Sequence, residues 1–155
     1  MPTATSRSTR TAAPGEADAI RYVETSAVLA ALFEGDAAAR RSLRRRGTLV
    51  TSAITFAEAR RGLVRARRGA RVTADQERAA LRAVARLRAR CFIVAVTDDV
   101  LARAGQPFPA EPVRTLDAMH LATVALAADA PAFATVITRD ARVRANALAI
   151  GYAVE

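Results

Sequence analysis

Short apolar runs alternate with longer helix-like segments along this chain, and no other feature constrains its fold as much. The strand-like runs are AIRYVE (19–24), TLVTS (48–52), FIVAV (92–96), FATVIT (133–138) and YAV (152–154). Strands that are separated by helices pair in parallel through right-handed crossovers, and the helices cover both faces of the sheet. The sequence therefore predicts a three-layer α/β/α domain with a central, mainly parallel sheet of four to five strands.

Capping and stop residues predict where the helices begin and end. Thr25 or Ser26 is predicted to cap a first helix that runs to about Phe33 and is broken by Gly35. The other predicted helices are an arginine-rich one stopping at Gly47, one from Thr55 to Gly69, one from Thr73 to about Arg90, one within 97–105, one from about Thr115 to Ala128, and one from Asp140 to Gly151. In the longest of them an apolar stripe is predicted to face the core: Ala80, Leu81, Val84 and Leu87.

The N-terminal segment indicates where the folded domain begins, and the single cysteine indicates a reducing compartment. Residues 1–18 contain arginines but no apolar signal region, so a flexible tail is predicted there and a single domain over 19–155. No apolar run approaches the roughly 18 residues that a membrane span needs. Cys91 has no partner for an internal disulfide, and we expect it to be a buried, unreactive thiol. The expected location is the cytoplasm, with no membrane partner.

The charge is strongly basic and comes from one residue type. All 24 basic residues are arginine, against 15 acidic residues, which gives a formal net charge of +9. Arginine matches the geometry of phosphate oxygens, so this excess favours a polyanionic partner such as nucleic acid or an acidic protein segment. A compositional bias of the source would also produce an alanine- and arginine-rich chain, so the charge alone does not locate a binding surface.

Four acids are predicted to meet at one edge of the sheet. Glu24 and Asp140 follow strand ends, Glu58 lies near the start of a helix, and Asp117 follows a proline-rich loop at another helix start. Each alone is explained by the preference of acids for the first helical turn. Together they lie where the carboxyl ends of parallel strands form a ligand crevice.

Clustered carboxylates suit hard divalent cations such as Mg²⁺ or Mn²⁺. Such ions activate water and stabilise in-line attack on a phosphodiester, so the protein need not supply a nucleophile. The parts of other hydrolytic sites are absent from the sequence, namely a glycine-rich phosphate loop, a nucleophile elbow and a cysteine pair for zinc. The combination of an acidic pocket and a basic surface therefore indicates a metal-dependent nuclease.

Four motifs in this order resemble a known family. They are VETSAVLAAL, TSAITFAEARRGL, VRTLDAMHLATVALA and VITRDARVRANALAIGYAV. The chain from about residue 20 to 155 is similar to the PIN-domain ribonucleases, particularly the toxins of bacterial VapBC-type toxin–antitoxin modules. The resemblance implies a PIN-like fold, Mg²⁺ or Mn²⁺ as cofactor, an RNA substrate, a homodimer, and a cognate antitoxin with a segment laid over the active-site groove.

The resemblance also assigns roles to individual residues. It makes Glu24, Glu58, Asp117 and Asp140 the four catalytic and metal-binding acids of the family, in that order. It places hydroxyl residues along the pocket: Thr25 or Ser26, and Thr138. Glu24 departs from the family pattern, which has aspartate. Because Mg²⁺ tolerates little distortion of its octahedron, the additional methylene predicts a displaced ion, an intervening water or reduced activity.

For two further residues near Asp117 the sequence allows more than one role. His120 lies three positions after Asp117 on the same helical face, either as a general base or as a partly buried, hydrogen-bonded histidine near the pocket. Arg114 precedes that helix and either contacts RNA phosphate, neutralises a pocket carboxylate or is simply solvated.

Three functions follow from these patterns. The first is a metal-dependent endoribonuclease of the toxin type. The second is a catalytically impaired PIN-like module that binds RNA or a protein partner through its arginines. The third is a nuclease of the same architecture that cuts DNA.

Overall fold

Five short strands form one parallel sheet at the centre of the computed structural model, which describes residues 19–155. The strands are β1 (Ile20–Val23), β2 (Thr48–Ser52), β3 (Phe92–Val94), β4 (Ala134–Ile137) and β5 (Ala153–Val154). Their order in the sheet is β3-β2-β1-β4-β5, and every neighbouring pair is parallel. This confirms the predicted sheet. The tail predicted over residues 1–18 lies outside the described residues.

Helices cover both faces of the sheet, as predicted for a three-layer α/β/α fold. Within residues 19–155 they are α1 (Thr25–Leu32), α2 (Ala37–Ser42), α3 (Ile54–Arg68), α4 (Ala74–Arg88), α5 (Asp98–Ala104), α6 (Thr115–Ala127) and α7 (Ala141–Ile150), with a 3-10 turn at Pro131–Phe133. Thr73 caps α4 with a capping box. Gly151 ends α7 in the left-handed region, at φ 105°, where residues with a side chain are strained.

The two sides of β1 belong to two separate apolar clusters. Val23 packs in a cluster with Ala27, Val28, Phe56 and Val84, which come from α1, α3 and α4. Tyr22 packs instead with residues of α6 and α7, among them Leu121, Val124, Val143 and Ala147. This alternation follows from the period of two along a strand. It places β1, and the residue after it, between both helical layers.

The sequence predicted a longer third strand and a more deeply buried Leu81 than the structure has. The third strand ends at Val94 rather than residue 96, and its first side chain, Phe92, is 68% exposed because β3 lies at the edge of the sheet. Leu81, predicted to belong to the α4 stripe, is only half-buried, whereas Ala80, Val84 and Leu87 are buried.

Cys91 was predicted to be buried, but its side chain is only half-buried. This partial burial raises the pKa of its thiol to about 11. The thiolate is therefore scarce at neutral pH, as expected for an unreactive cysteine. Among the described residues, no helix is both long and apolar enough to cross a membrane.

The strand order creates a crevice at one point of the sheet. From β1, the chain first builds β2 and β3 on one side and later adds β4 and β5 on the other. In parallel sheets, ligands bind beyond the carboxyl ends of the strands where the order reverses in this way. Here that point lies between the ends of β1 and β4.

Candidate active site

The ends of β1 and β4 bring two of the predicted acids to the crevice. Glu24 follows β1 directly, and its backbone N–H donates to the carbonyl oxygen of Ile137, the last residue of β4, at 3.0 Å. Asp140 follows β4 after two residues and begins α7. The two acids thus start neighbouring helices at neighbouring strand ends.

Glu24 itself is the N-cap of α1, a position that the sequence assigned to Thr25 or Ser26. One carboxylate oxygen, Oε1, accepts from the backbone N–H of Ser26 at 3.0 Å, and Oε2 accepts from the hydroxyls of Ser26 and Thr138, the latter at 2.9 Å. The prediction failed because serine and threonine are the usual caps, whereas here the side chain of Glu24 accepts from the N–H of Ser26. Its side chain is 6% exposed, so both oxygens are buried and satisfied.

Ser26 and Thr138 join the two strand-to-helix junctions. The Ser26 hydroxyl oxygen accepts from the backbone N–H groups of Arg139 at 2.7 Å and Asp140 at 3.0 Å. The Thr138 hydroxyl accepts from the N–H of Asp140 at 3.0 Å. Both hydroxyls therefore hold Asp140 in place relative to Glu24, which is a structural basis for their predicted position at the pocket.

Asp140 caps α7 while it lies at the crevice. Its Oδ1 accepts from the N–H groups of Arg142 and Val143, at 2.8 and 3.1 Å. These bonds satisfy the free donors of the first helical turn and fix the direction of the carboxylate.

Asp117, in the first turn of α6, has the least satisfied carboxylate of the cluster. Its Oδ2 is buried without a hydrogen-bond partner. Burial raises the pKa of Asp117, and the negative charges of Asp140 and Glu24 raise it further, while the exposed Arg114 lowers it. Three carboxylates therefore act on one another electrostatically at this point, and Arg114 lies close enough to offset part of their charge.

Glu58 joins the cluster from α3 through two hydrogen-bond partners. Its Oε2 accepts from the hydroxyl of Thr25 at 2.5 Å and lies 2.8 Å from Nε2 of His120. Burial raises the pKa of Glu58, but the bonds from His120 and Thr25 outweigh burial, so that the pKa is below its usual value. The carboxylate is therefore ionised at neutral pH.

His120 lies deeper than the sequence suggested. Its side chain is 1% exposed, and besides Glu58 its Nε2 lies 3.0 Å from the Thr25 hydroxyl and 3.9 Å from Oε1 of Glu24. On its other side, Nδ1 lies 2.8 Å from the hydroxyl of Tyr22, which is fully buried.

Tyr22 was not predicted from the sequence as a residue of the site. The available signal was a phenol within an otherwise apolar strand, two positions before Glu24 and therefore on the same face. A buried tyrosine hydroxyl normally has a hydrogen-bond partner, and the sole histidine of the chain was the candidate. The tertiary contact across 98 residues identifies it.

The donor set partly matches a divalent cation. Among residues 19–155, no three His, Cys, Asp or Glu side chains already form a metal-binding group. The unpartnered Oδ2 of Asp117, beside two other carboxylates, is nevertheless the arrangement that a hard cation with oxygen ligands would relieve. Glu24 fits less well, because hydrogen bonds already occupy both of its oxygens.

Comparison with known proteins gives a family match and several structural relatives. A family model described as PIN domain matches residues 21–148. No curated protein matches the sequence. The fold is similar to that of VapBC2 from Rickettsia felis bound to a DNA fragment from its promoter, with a TM-score of 0.60 and 14% identity over 88% of this chain and 97% of that chain.

Two Mycobacterium tuberculosis structures are also similar. One is VapC20, a sarcin–ricin loop cleaving toxin, with a TM-score of 0.60 and 23% identity over 81% of this chain and 93% of that chain. The other is VapBC-5, of the VapBC family of toxin–antitoxin systems, with a TM-score of 0.53 and 24% identity over 88% of this chain and 96% of that chain. At these identities the similarity shows a shared fold.

Proposed function

Because the chain belongs to the PIN domain family, we propose that it is a metal-dependent endoribonuclease and the toxin of a bacterial toxin–antitoxin pair. Its fold is shared with VapC20, which is described as a sarcin–ricin loop cleaving toxin, and that supports RNA as the substrate class. The formal net charge of +9 supports a polyanionic substrate as well.

The strongest support for a metal-dependent enzyme is the environment of the Asp117 carboxylate. Its Oδ2 is buried and without a hydrogen-bond partner. Burial raises the pKa of Asp117, and the charges of Asp140 and Glu24 raise it further. A buried, unsatisfied oxygen costs free energy, and like charges add to that cost. A site that keeps this arrangement is most simply explained by a bound cation.

The residues that would hold this cation are Asp117, Asp140, Glu24 and Glu58, and the ion would be Mg²⁺ or Mn²⁺. Such an ion, when bound, polarises the phosphodiester and lowers the pKa of an attacking water. Ser26 and Thr138 orient Asp140, and Thr25 and His120 orient Glu58.

Arg114 would contact the substrate. It is exposed at the start of α6, and its charge lowers the pKa of Asp117, so it lies on the rim of the acidic pocket. A guanidinium at that rim can bind a phosphate oxygen of RNA next to the site of cleavage.

The proposed antitoxin has a candidate surface in a cavity of about 330 Å³ between α1, α2 and α4. The apolar part of its lining includes Leu32, Leu43 and Leu87, and its rim carries Arg40, Arg44, Arg86 and Arg90. An acidic protein segment with apolar side chains would complement such a cavity in both charge and polarity.

A homodimer and a cytoplasmic location complete the proposal. Several large apolar side chains are exposed, including Phe92 on the edge strand and Leu126 on α6, and they offer apolar surface for a second copy. Sedimentation analysis of the purified chain tests the dimer. The proposal puts the RNA substrate and the antitoxin in the cytoplasm together with this chain.

The nuclease is tested with purified protein, free of antitoxin, and a mixed RNA pool in Mn²⁺ or Mg²⁺. We expect cleavage that EDTA abolishes and that Asp117→Asn reduces by at least about a hundredfold, since metal-assisted chemistry loses several kcal/mol without a ligand. Asp129→Asn is the matched control, because Asp129 is exposed just beyond α6. Equal cleavage by Asp117→Asn and the parent would contradict the assignment.

One observation favours a second function, that of a PIN-like module that binds RNA or protein without cutting. Both oxygens of Glu24 are occupied by hydrogen bonds, which weakens its contribution to a metal site. RNA binding that persists in EDTA, without cleavage in any metal, would support this module. A DNA strand of the same sequence, included in the cleavage assay, distinguishes the ribonuclease from a DNA-directed nuclease.

A further inference from the structure

A buried line of three side chains runs from the sheet to the acidic pocket. Tyr22 on β1 is fully buried and its hydroxyl lies 2.8 Å from Nδ1 of His120. His120 on α6 is 1% exposed, and its Nε2 lies 2.8 Å from Oε2 of Glu58 on α3. Three elements are therefore connected by two short polar contacts, and Glu58 is the end of the line that reaches the pocket.

The contact with Glu58 decides which ring nitrogen carries the proton. A carboxylate oxygen and an unprotonated ring nitrogen are both acceptors, so they repel each other at 2.8 Å. Nε2 must therefore carry a hydrogen. On the other side of the ring, Nδ1 faces the Tyr22 hydroxyl, which can donate to it or accept from it.

The Tyr22 hydroxyl is held by more than one contact. Burial raises the pKa of its phenol well above the usual value, so the hydroxyl keeps its hydrogen. Besides Nδ1 of His120, the hydroxyl has hydrogen bonds with the side chain of Thr123 and the backbone of Ser52. The whole line then runs from the Tyr22 hydroxyl through the imidazole to the carboxylate of Glu58.

The line also determines which oxygen of Glu58 is available. The described bonds from His120 and from the Thr25 hydroxyl both end at Oε2. Oε1 is thereby left for a cation or a water molecule at the pocket. Residues that orient a metal-binding side chain in this way usually change metal affinity or activity by about 10–100-fold when they are removed.

We propose that Tyr22 is a positioning residue, which holds the ring of His120 with its Nε2 hydrogen directed at Oε2 of Glu58 and so keeps Glu58 turned with Oε1 towards the pocket. The effect on metal binding rests on the proposed function, whereas the position of the Nε2 hydrogen does not. The chain is well suited to a direct test because His120 is its single histidine.

The first measurement is a long-range ¹H–¹⁵N correlation spectrum of the untagged, ¹⁵N-labelled protein at neutral pH. One imidazole is observed, and we expect a hydrogen fixed on Nε2. A hydrogen on Nδ1 alone or an equal mixture of the two tautomers would overturn the proposal. This result does not depend on whether the protein cleaves RNA.

The second measurement compares Tyr22→Phe with Tyr152→Phe, which makes the same change at the other, also buried, tyrosine of the chain. Tyr22→Phe should lose the fixed Nε2 hydrogen and bind Mn²⁺ about tenfold more weakly by calorimetry, whereas Tyr152→Phe should match the parent in both. Circular dichroism confirms that both variants are folded.

An unchanged imidazole pattern and unchanged Mn²⁺ affinity in folded Tyr22→Phe would overturn the positioning role. If Tyr22→Phe does not fold, His120→Gln, which keeps a donor towards Glu58, should retain Mn²⁺ affinity better than His120→Leu, and equal affinities would overturn the role. If the parent itself binds no Mn²⁺, the metal-dependent nuclease fails, while the tautomer remains decided by the first spectrum.

Discussion

At the residue scale, Glu24 shows what one methylene group changes at the end of a strand. The longer side chain turns back onto α1 and accepts from the N–H and hydroxyl of Ser26 and from the hydroxyl of Thr138. The acid therefore serves as a helix cap as well as a member of the cluster. These donors satisfy its buried carboxylate and occupy the oxygens that the proposed cation would need.

The variant Glu24→Asp tests this account. Aspartate is a favoured N-cap, so α1 should remain capped, and the loss of one buried methylene should cost about 1 kcal/mol of unfolding free energy. With a shorter reach, fewer of its oxygens can be occupied by Ser26 and Thr138. We therefore expect tighter Mn²⁺ binding and faster RNA cleavage than in the parent. Slower cleavage, with the protein folded, would show that glutamate is the better residue in this pocket.

At the element scale, the site depends on how two strand-to-helix junctions are joined. The hydroxyl of Ser26, in the first turn of α1, accepts from the backbone N–H groups of Arg139 and Asp140, which lead into α7. Asp36, the N-cap of α2, makes a second connection through Nε of Arg139 at 2.7 Å. The segment after β4 is thus attached to α1 and to α2.

Replacing Ser26 by alanine should loosen this connection. The backbone N–H of Arg139 loses its partner, while the N–H of Asp140 and Oε2 of Glu24 each keep Thr138 alone. The free energy of unfolding should therefore fall by about 1–3 kcal/mol. Cleavage should fall as well, because Asp140 is then held beside Glu24 by Thr138 alone. Urea unfolding measures the first effect, and Ser26→Thr, which keeps the hydroxyl, should behave much like the parent. A loss of stability of equal size in Ser26→Thr would attribute the effect to packing instead.

The ion pair of Asp36 and Arg139 predicts a dependence on pH. The hydrogen bond from Arg139 lowers the pKa of Asp36 from 3.8 to about 2. A carboxylate with a lowered pKa in the folded state stabilises the fold above its unfolded pKa, and this contribution is lost as the pH falls through the folded value. Asp36→Asn keeps an N-cap but removes the charge, so it isolates the ion pair.

We therefore expect the parent to be more stable than Asp36→Asn above about pH 4 and the difference to shrink as the pH approaches about 2. Urea unfolding of both proteins at several pH values measures this. A difference that stays constant over that interval would mean that the ion pair contributes nothing.

At the scale of the whole molecule, an acidic pocket lies within a strongly basic protein. The net charge of +9 attracts a polyanion from a distance, whereas the pocket repels it unless a cation neutralises the carboxylates. Substrate binding and metal binding are therefore expected to support each other.

The basic surface predicts a strong dependence on salt. For the folded but inactive Asp117→Asn, we expect affinity for single-stranded RNA to fall roughly 300-fold between 50 and 200 mM salt if about six phosphates are contacted. Fluorescence anisotropy with a short labelled RNA measures it. A flat response would mean that the arginines serve another partner, and an acidic peptide would then be the next ligand to test.

The local pattern of the sequence determined the elements and much of their chemistry. Alternating strand-like and helical runs predicted the parallel sheet covered on both faces, and the cap at Thr73 and the stop at Gly151 were predicted correctly. These features depend on interactions between residues that are close together in the chain, so the pattern of a single sequence is enough to predict them. Glu24 and Asp140 lie at the carboxyl ends of β1 and β4 for the same reason, because each follows its strand within three residues.

Only the tertiary structure decided which of these residues meet. The order β3-β2-β1-β4-β5 brings Glu24 beside Asp140, and the packing of α6 on β1 connects Tyr22 to His120. The capping role of Glu24, the exposure of Phe92 and the unpartnered oxygen of Asp117 also depend on neighbours distant in sequence. The sequence alone does not specify such contacts, because a contact between distant residues produces no hydrophobic periodicity and no capping motif. The burial of a side chain and the charges around it are defined only once the helices have packed on the sheet.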